Sequence, residues 1–466
     1  MTRESWTTRT GFILAAVGSA VGLGNVWRFP WMTAENGGSA FLVLYLGLVL
    51  LVGVPGLVAE FVIGRRSRRN PVGALSTLSG SDRWGLVGLL PVVTTVLLLS
   101  FYSVVGGWIL RYFIASTTGA YFDAPGAYFD AVAFGPSAVG YHVVFLFATA
   151  TIVLAGVRRG IEAATTVMVP AILVLLVGLA AWGTTLPGAG DGLTYFLSFD
   201  AAYLRENFFD VLGAATGQAL FTLSVGAGTM VTYASYLGED RSLPADSAVI
   251  AVFNTTVGVI AGLVVFPLLF AQGLPIGESG PGALFVSLAT AFSTLPAGRY
   301  VAVVFFGVMT LAALSSSISM LELPVAYLVD EHGVDRRRAT AGLAAVFLVS
   351  GSVNALRPAV FDVVASTLVD LLLSLGLLCF LLFAGWVLGA EALAEFREGT
   401  GSFAGSLGTP WLYVVGVALP VFLIFTVLTG VLGAVNVPLG SAAVGVLTAA
   451  LAVAAFATLR RSRSVL

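Results

Sequence analysis

The sequence predicts an all-α polytopic membrane protein with twelve transmembrane helices: a five-plus-five inverted repeat with broken first and sixth helices, followed by two C-terminal helices. Three observations predict this class. Of the 466 residues, 58% are hydrophobic and only 10% are charged, and the mean hydropathy is +0.99, which is typical of polytopic membrane proteins. Apolar stretches of about 20 residues recur along the chain. Two of these stretches are interrupted by clusters of glycine.

Twelve apolar stretches are long enough to cross a bilayer, which requires about 20 residues of helix. Polar or Gly/Pro-rich joints separate them. Their predicted limits are 11–35, 40–64, 87–114, 140–157, 161–183, 208–237, 247–271, 298–329, 337–354, 359–388, 411–433 and 438–458. The first five form a predicted first repeat within residues 1–183, the next five form a second repeat within 184–390, and the last two fall within 391–466.

The distribution of arginine predicts the orientation in the membrane. All 22 basic residues are Arg, and 17 of them fall in cytoplasmic segments if the N-terminus lies inside. The five left on the outer side are Arg28, Arg111, Arg205, Arg299 and Arg357. The positive-inside rule therefore places both termini in the cytoplasm, in a multi-pass protein of the plasma membrane. Residues 1–10 lack the cleavage site of a signal peptide, so the first apolar stretch is the first span.

The residue inventory argues against an enzyme and against a nucleic-acid partner. The single cysteine, Cys379, lies in an apolar stretch, and the two histidines, His142 and His332, are predicted at opposite faces of the membrane. This set argues against a disulfide, against a Cys/His metal site and against a Ser-His-Asp nucleophile, because each needs more cysteine or histidine residues close together. The formal charge of −2 provides no footprint for nucleic acid, and the Arg runs are better interpreted as topology signals.

The first break lies within residues 18–30, Gly18-Ser19-Ala20-Val21-Gly22-Leu23-Gly24-Asn25-Val26-Trp27-Arg28-Phe29-Pro30. Lipid cannot solvate free backbone groups, so such a break persists only where it lines a cavity or binds a ligand. Its three glycines loosen the helix, Asn25 offers a side-chain oxygen, and Arg28 carries a charge that is costly in hydrocarbon. The break therefore predicts a binding site.

The second break lies within residues 217–228 of the sixth stretch, where Ser224, Gly226 and Gly228 interrupt the helix. It opens the second set of five spans as the first break opens the first set, which is the pattern of an inverted-repeat secondary transporter. The alternative is that these glycines only allow close helix packing, as most glycines in membrane helices do. At the breaks that alternative is disfavoured, because glycine is clustered with the side-chain oxygens of Asn25, Thr222 and Ser224.

The two breaks and three further motifs resemble the neurotransmitter:sodium symporter family, and within it the prokaryotic amino-acid transporters. The motifs are Gly22-Leu23-Gly24-Asn25-Val26-Trp27-Arg28-Phe29-Pro30, Glu35-Asn36-Gly37-Gly38, Gly217-Gln218 through Phe221-Thr222-Leu223-Ser224, Thr232-Tyr233-Ala234-Ser235-Tyr236, and Leu314-Ser315-Ser316-Ser317. The resemblance covers nearly the whole chain. It implies sodium-coupled import of an amino acid by alternating access, with both breaks near the membrane midplane.

The resemblance also implies two sodium sites made of oxygen ligands, as a hard cation requires. The first would use the Ala20 carbonyl, the Asn25 side chain, the Thr222 carbonyl and hydroxyl, the Asn254 side chain and the substrate carboxylate. The second would use the carbonyls of Gly18, Val21 and Ala312 and the hydroxyls of Ser315 and Ser316. Hydroxyls in membrane helices usually bond back to a carbonyl one turn earlier, and that alternative would suffice for the serines alone.

The residue at position 22 indicates the substrate class. Family members that carry monoamines have Asp here, whereas Gly22 leaves the first sodium site dependent on a carboxylate of the substrate itself. We therefore expect an amino acid. The resemblance places its carboxylate against the backbone N–H groups of Leu23 and Gly24 and the hydroxyl of Tyr102. Its amino group would meet carbonyls near Ser19, Phe221 and Thr222.

The resemblance lines the side-chain pocket with Leu98, Tyr102, Phe221, Ser224, Ala227, Ser316 and Met320. A leucine-carrying member of the family has an aromatic residue where this chain has Ala227. Loss of a ring frees on the order of a hundred cubic ångströms, and the flexible Met320 refills only part of that volume. The pocket is therefore expected to accept hydrophobic amino acids up to aromatic size.

In the family, Arg28 faces an acidic residue across the outer vestibule and closes over the substrate with Tyr102 and Phe221. The matching position of the tenth span is Ala365, which has no charge. Asp362 and Asp370 are near in sequence, but on a regular α-helix they lie at other helical phases. Closure of Arg28 through water or through a different acid therefore stays open.

At the cytoplasmic side, Arg3 and Asp330 match the family's inner salt bridge, and Trp6 matches the aromatic that plugs the first helix. The residues that match the anion ligands of the family are Tyr45, Gln218, Thr222 and Asn254. At Gly258 this chain has neither the Ser of chloride-dependent members nor the carboxylate of chloride-independent ones. Chloride dependence is therefore not predicted.

The favoured function is sodium-coupled amino-acid symport in the lipid bilayer. A non-transporting amino-acid sensor of the same fold is the alternative, although no signalling domain is expected in the few residues after the last span. An intramembrane enzyme is disfavoured by the missing nucleophile–base or metal set. The exact amino acid, the ion stoichiometry and the oligomeric state are not predicted.

Overall fold

The computed structural model describes residues 5–238, 241–274, 282–434 and 441–463. Within these ranges all regular structure is helical, and nine helices are long and apolar enough to cross a bilayer. A bent pair at the start of the chain makes a tenth span. These findings confirm the predicted all-α polytopic membrane class.

The first half of the chain forms α1 (Arg9–Ala20), α2 (Gly24–Glu35), α3 (Ser39–Ser67), α4 (Pro71–Ser79), α5 (Asp82–Ser116), α6 (Pro125–Ala133), α7 (Pro136–Leu154) and α8 (Val157–Gly183). Local caps fix several ends. The Thr8 hydroxyl accepts from the Gly11 N–H at the start of α1, and Asn70 followed by Pro71 starts α4. The short helices α4 and α6 were not predicted, because they are too short to show an apolar span.

The second half forms α9 (Ala189–Leu197), α10 (Ala201–Glu206), α11 (Phe208–Thr222), α12 (Thr229–Ala234), α13 (Leu243–Ala271), α14 (Ala283–Thr294), α15 (Gly298–His332), α16 (Arg336–Leu356) and α17 (Pro358–Leu388). Three helices follow them: α18 (Ala390–Arg397), α19 (Ser402–Leu432) and α20 (Ser441–Arg463). The predicted sixth span is two short helices, α11 and α12. The predicted twelfth span, 438–458, begins outside the described residues and corresponds to α20.

Both predicted breaks are present. Helices α1 and α2 meet at 44°, because Val21 leaves the helical conformation with φ −79° and ψ 98°. Between α11 and α12 the backbone takes positive φ at Ser224 (53°), Gly226 (88°) and Gly228 (75°). Glycine adopts such angles readily, whereas a serine there is uncommon.

Close backbone contacts hold the second break in place. A Cβ on Gly226 would lie 2.0 Å from the Leu373 carbonyl oxygen of α17, and one on Gly376 would lie 2.1 Å from the Gly226 carbonyl oxygen. The unwound segment therefore rests directly on α17. Helix α1 packs against α8, α13 and α15, so the two breaks occupy the centre of the bundle.

We predict that Gly226→Ala destabilises the fold, because the positive φ alone costs about 1–3 kcal/mol and the methyl group would displace α17. Gly178→Ala is the matched control, since a Cβ there meets nothing within 4 Å. Thermal unfolding in detergent would show a lower melting temperature for Gly226→Ala only. Equal melting temperatures for both variants would contradict the packing described for the break.

Candidate functional site

Hydrogen bonds between the two breaks draw them together. The Gln218 Nε2 of α11 donates to the Gly24 carbonyl oxygen (2.7 Å), and the Ser224 hydroxyl donates to the Ser19 carbonyl oxygen (2.9 Å). A Cβ on Gly24 would lie 3.1 Å from the Thr222 Cα, so a side chain there would press against the backbone of α11. Carbonyls released from two helices therefore face one small, buried volume.

Side-chain and carbonyl oxygens converge at Asn254 of α13. Its Oδ1 lies 3.0 Å from the Ala20 carbonyl oxygen and 3.1 Å from the Thr222 carbonyl oxygen, and all of these atoms belong to buried residues. Three oxygens this close repel one another unless a cation lies among them or the Asn254 amide is reversed, so that its nitrogen donates to them. This arrangement fits the ligand set predicted for the first sodium ion.

The Asn25 side chain is oriented differently from the sequence expectation. Its Oδ1 accepts from the Gly22 N–H (3.1 Å), and its Nδ2 donates to the Asn254 carbonyl oxygen (2.8 Å) and Oδ1 (2.9 Å). Reversal of this amide would direct its oxygen into the same cluster. The Thr222 hydroxyl lies 3.2 Å from the Asn254 Nδ2 and completes the predicted set.

A second oxygen cluster joins α1 to α15. The Ser315 hydroxyl lies 2.9 Å from the Ala312 carbonyl oxygen and 3.0 Å from the Val21 carbonyl oxygen. The Ser316 hydroxyl lies 3.4 Å from the Gly18 carbonyl oxygen. Back-bonding explains the contact within α15, but not the two contacts across to α1. Each of the five groups predicted for the second sodium ion therefore lies within hydrogen-bonding distance of at least one other member of the set.

A donor pair beside the first cluster suits a carboxylate. The Leu23 N–H lies 3.1 Å from the Tyr102 hydroxyl of α5, and both groups were predicted to hold the carboxylate of the substrate. A Cβ on Gly22 would lie 2.0 Å from the Ser316 Oγ and 2.8 Å from the Tyr102 hydroxyl. Position 22 therefore has no room for a side chain in this conformation.

The residues predicted to line the side-chain pocket are buried. Leu98, Phe221, Ala227 and Met320 all belong to the continuous apolar core. Ala227 lies in the unwound segment between Gly226 and Gly228, where no regular helix constrains the backbone. The segment predicted to set the pocket volume is therefore also the one that contacts α17.

At the predicted outer end, Arg28 is paired with an acid of α17. Its Nη2 lies 2.5 Å from the Asp370 Oδ2, and its guanidinium lies 4.7 Å from the centre of the Phe221 ring. The prediction that Asp370 lies at another helical phase is wrong, because residues Val364–Leu368 form a π-turn. Ala365 instead lines an adjacent cavity of about 330 Å³.

At the opposite end, Trp6 packs against α12, the helix that follows the second break. Its indole N–H donates to the Tyr233 carbonyl oxygen (3.0 Å), and its ring packs edge-on against Tyr233 and Tyr236. Asp330 accepts from the Asn70 backbone N–H (3.3 Å) and side-chain amide (3.4 Å). Arg3, the partner predicted for Asp330, lies outside the described residues.

Two of the predicted anion ligands, Thr222 and Asn254, are in hydrogen-bonding contact. In the described part of the chain, the buried Tyr45 hydroxyl and the Gln218 Oε1 make no hydrogen bond. A Cβ on Gly258 would be 3.7 Å from its nearest neighbour, the Asn25 Nδ2. The Tyr45 hydroxyl is thus a buried donor that makes no hydrogen bond within the described residues, and a Cβ at position 258 would make only ordinary van der Waals contacts.

Two carboxylates that accept from backbone N–H groups were missed. Glu60 of α3 is buried, and its Oε1 accepts from the Gly226 N–H (2.5 Å). Glu162 of α8 accepts from the backbone N–H groups of Thr7 (2.9 Å) and Thr8 (3.3 Å) at the start of α1. The available signal was an acid within a predicted apolar span, which usually marks a functional position.

We predict that Glu60→Ala destabilises the unwound segment, because the buried Gly226 N–H loses its acceptor at a cost of about 1–3 kcal/mol. Thermal unfolding in detergent provides the measurement. Glu391→Ala is the control, because that side chain is 59% exposed and exposed ion pairs contribute about 1 kcal/mol or less. An unchanged melting temperature for Glu60→Ala would contradict this role.

The broken helices and the oxygen clusters at their centre define a membrane transporter of the inverted-repeat class. The model of the Sodium:neurotransmitter symporter family matches residues 3–123 and 136–438. The chain belongs to this family. Its members are sodium-coupled transporters and not enzymes, which confirms the predicted class and the predicted dependence on sodium.

Several relatives align over most of the chain. The uncharacterized sodium-dependent transporter YhdH of Bacillus subtilis is 34% identical over 447 residues, covering 92% of this chain and 98% of YhdH. The sodium-dependent dopamine transporter of Bos taurus is 28% identical, covering 71% of this chain and 54% of that protein. The crystal structure of MhsT in complex with L-phenylalanine matches with a TM-score of 0.82 and 37% identity, covering 92% of this chain and all of MhsT.

Proposed function

We propose that the protein is a symporter that imports an amino acid with a hydrophobic side chain, driven by sodium and working by alternating access. The observation that carries this proposal is the convergence of the Ala20 and Thr222 carbonyl oxygens on the Asn254 side-chain amide, together with the Leu23–Tyr102 pair. A cation in the first position and a carboxylate in the second would be direct neighbours. Sodium and substrate are both cargo in this scheme.

The coupling follows from that adjacency. The carboxylate of a bound amino acid completes the first sodium site, so each ligand stabilises binding of the other by the same free energy. The second oxygen cluster, centred on Ser315, bridges α1 and α15 and would bind a second sodium ion. Because these ions hold α1 against its neighbours, their release at low cytoplasmic sodium would favour opening toward the cytoplasm.

The substrate class rests on two positions. The absence of a side chain at Gly22 removes any protein carboxylate from the first sodium site, which favours substrates with their own. Ala227 has a small side chain at a position predicted to line the pocket, and the similar protein MhsT was crystallised with L-phenylalanine. Both observations support hydrophobic amino acids, including aromatic ones.

The gates are assigned to the two ends of the bundle. Trp6, with Arg3 and Asp330, would close the cytoplasmic end, and Arg28 with Phe221 would close the outer end. The arginine distribution supports a plasma-membrane orientation with both termini in the cytoplasm. In alternating access, only one of these ends opens at a time.

Uptake of labelled L-phenylalanine into proteoliposomes tests the proposal. We expect an inward sodium gradient to stimulate uptake and unlabelled leucine and tryptophan to compete. Asn254→Ala should raise the sodium concentration for half-maximal uptake about tenfold or more, because it removes an oxygen ligand. Thr256→Ala is the control. The Thr256 hydroxyl bonds back within α13, 2.8 Å from the Val252 carbonyl oxygen. Uptake that is equal in sodium and potassium would overturn the proposal. Competition by alanine and glycine alone would overturn the enlarged pocket.

Chloride is proposed as a second anion at the site, because Tyr45 holds an uncommitted buried donor and position 258 has no carboxylate. We expect uptake to fall several-fold when gluconate replaces chloride, and Gly258→Glu to abolish that difference by supplying a fixed negative charge. Equal wild-type uptake in both media would rule the anion out.

A further inference from the structure

One guanidinium joins three helices at the predicted outer end. Arg28 of α2 contacts Asp370 of α17 at 2.5 Å and the Gly217 carbonyl oxygen of α11 at 3.4 Å, and it covers the Phe221 ring at 4.7 Å. Its side chain is only 7% exposed and that of Asp370 is 29% exposed. A charge this buried requires a partner in closed conformations, and within the described residues Asp370 is the acid that pairs with it.

The geometry of α17 explains why an acid at position 370 takes this place. On a regular α-helix, five residues rotate a side chain by about 500°, so positions 365 and 370 would differ by about 140°. The π-turn at Val364–Leu368, in which the Val369 N–H bonds to the Val364 carbonyl, accommodates one additional residue. Asp370 is thereby brought near the face of Ala365, about 7 Å further along the helix axis at 1.5 Å per residue.

We propose that Asp370 is the acid of the outer gate in this protein and that the gate therefore closes one helical turn nearer the substrate than an acid at position 365 would allow. This inference rests on the proposed transport function. It assigns Asp370 as a positioning residue, because it acts on the substrate site through Arg28 and Phe221.

The contact with α11 supports the assignment. A Cβ on Gly217 would lie 2.9 Å from the Asp370 Oδ2, so the carboxylate rests directly against the half-helix that carries Phe221 and Thr222. On the other side of the gate, Ala365 and Asp362 line the cavity of about 330 Å³ above Phe221. The side chain at position 365 is short, and Arg28 of the ion pair lines the same cavity.

Relocation of the acid tests the proposal. In proteoliposomes, Asp370→Ala should reduce initial uptake of labelled L-phenylalanine at least tenfold, and Asp370→Glu should retain a measurable part of it. The double variant Ala365→Asp with Asp370→Ala should regain several-fold over Asp370→Ala, because the acid returns to the same helix face. Asp362→Ala is the matched control and should stay within twofold of the wild type, since Asp362 lines the same cavity without contacting Arg28.

Two further readouts separate a gate from a general structural role. Sodium should raise the melting temperature of Asp370→Ala as it does for the wild type, because the ion ligands are intact. In a Cys379→Ser background, a cysteine at Phe101, which is 2% exposed and lines the outer cavity, should react faster with a membrane-impermeant maleimide once Asp370 is Ala.

Wild-type uptake by Asp370→Ala, or an equal loss in Asp362→Ala, would overturn the assignment of Asp370. An unchanged labelling rate at position 101 would overturn it as well. Absence of sodium-dependent uptake in the wild type would instead reject the proposed function, so the two failures are distinguishable.

Discussion

The structure depends on one constraint: backbone groups freed inside a bilayer have to be satisfied by the protein itself. At the second break the Gly226 N–H is satisfied by Glu60, and at the first break the Ser19 carbonyl oxygen accepts from the hydroxyls of Ser224 and Ser316. The remaining carbonyls, at Ala20 and Thr222, face the side-chain amide of Asn254. These remaining backbone groups at the breaks are therefore hydrogen-bond acceptors. A cluster of oxygen acceptors is suited to bind a sodium ion.

The same constraint accounts for the glycines and for the gates. Gly24 lets the breaks approach, and Gly226 lets the unwound segment rest on α17. Because α17 also carries Asp370, the helix that supports the second break is the one that holds Arg28 above it. At the opposite end, Trp6 donates to the Tyr233 carbonyl oxygen of α12, the helix that follows the break. The proposed ion sites, substrate site and gates are thus joined at one place, which is what alternating access requires of a coupled carrier.

Much of this arrangement is predictable from sequence. Hydropathy predicts the spans, and glycine clustered with Asn25, Thr222 and Ser224 predicts both breaks. The resemblance to a family predicts the oxygen ligands, although the Asn25 amide orientation differs. The Arg28–Asp370 pair was not predictable, because a π-turn shifts helical phase without any composition signal. Glu60 and Glu162 were missed since their partners are backbone N–H groups distant in sequence. The ends of short helices such as α4 are set by local capping residues, so a long periodic pattern of apolar residues does not reveal them.

The central claim is that sodium and substrate share one site. The most direct measurement is the mutual dependence of their binding to the purified protein in detergent, with labelled L-phenylalanine titrated at several sodium concentrations and sodium titrated at several L-phenylalanine concentrations. We expect each ligand to raise the affinity of the protein for the other by the same factor, about fivefold or more for a typical coupling free energy. L-Phenylalanine affinity that is identical in sodium and in potassium would contradict it.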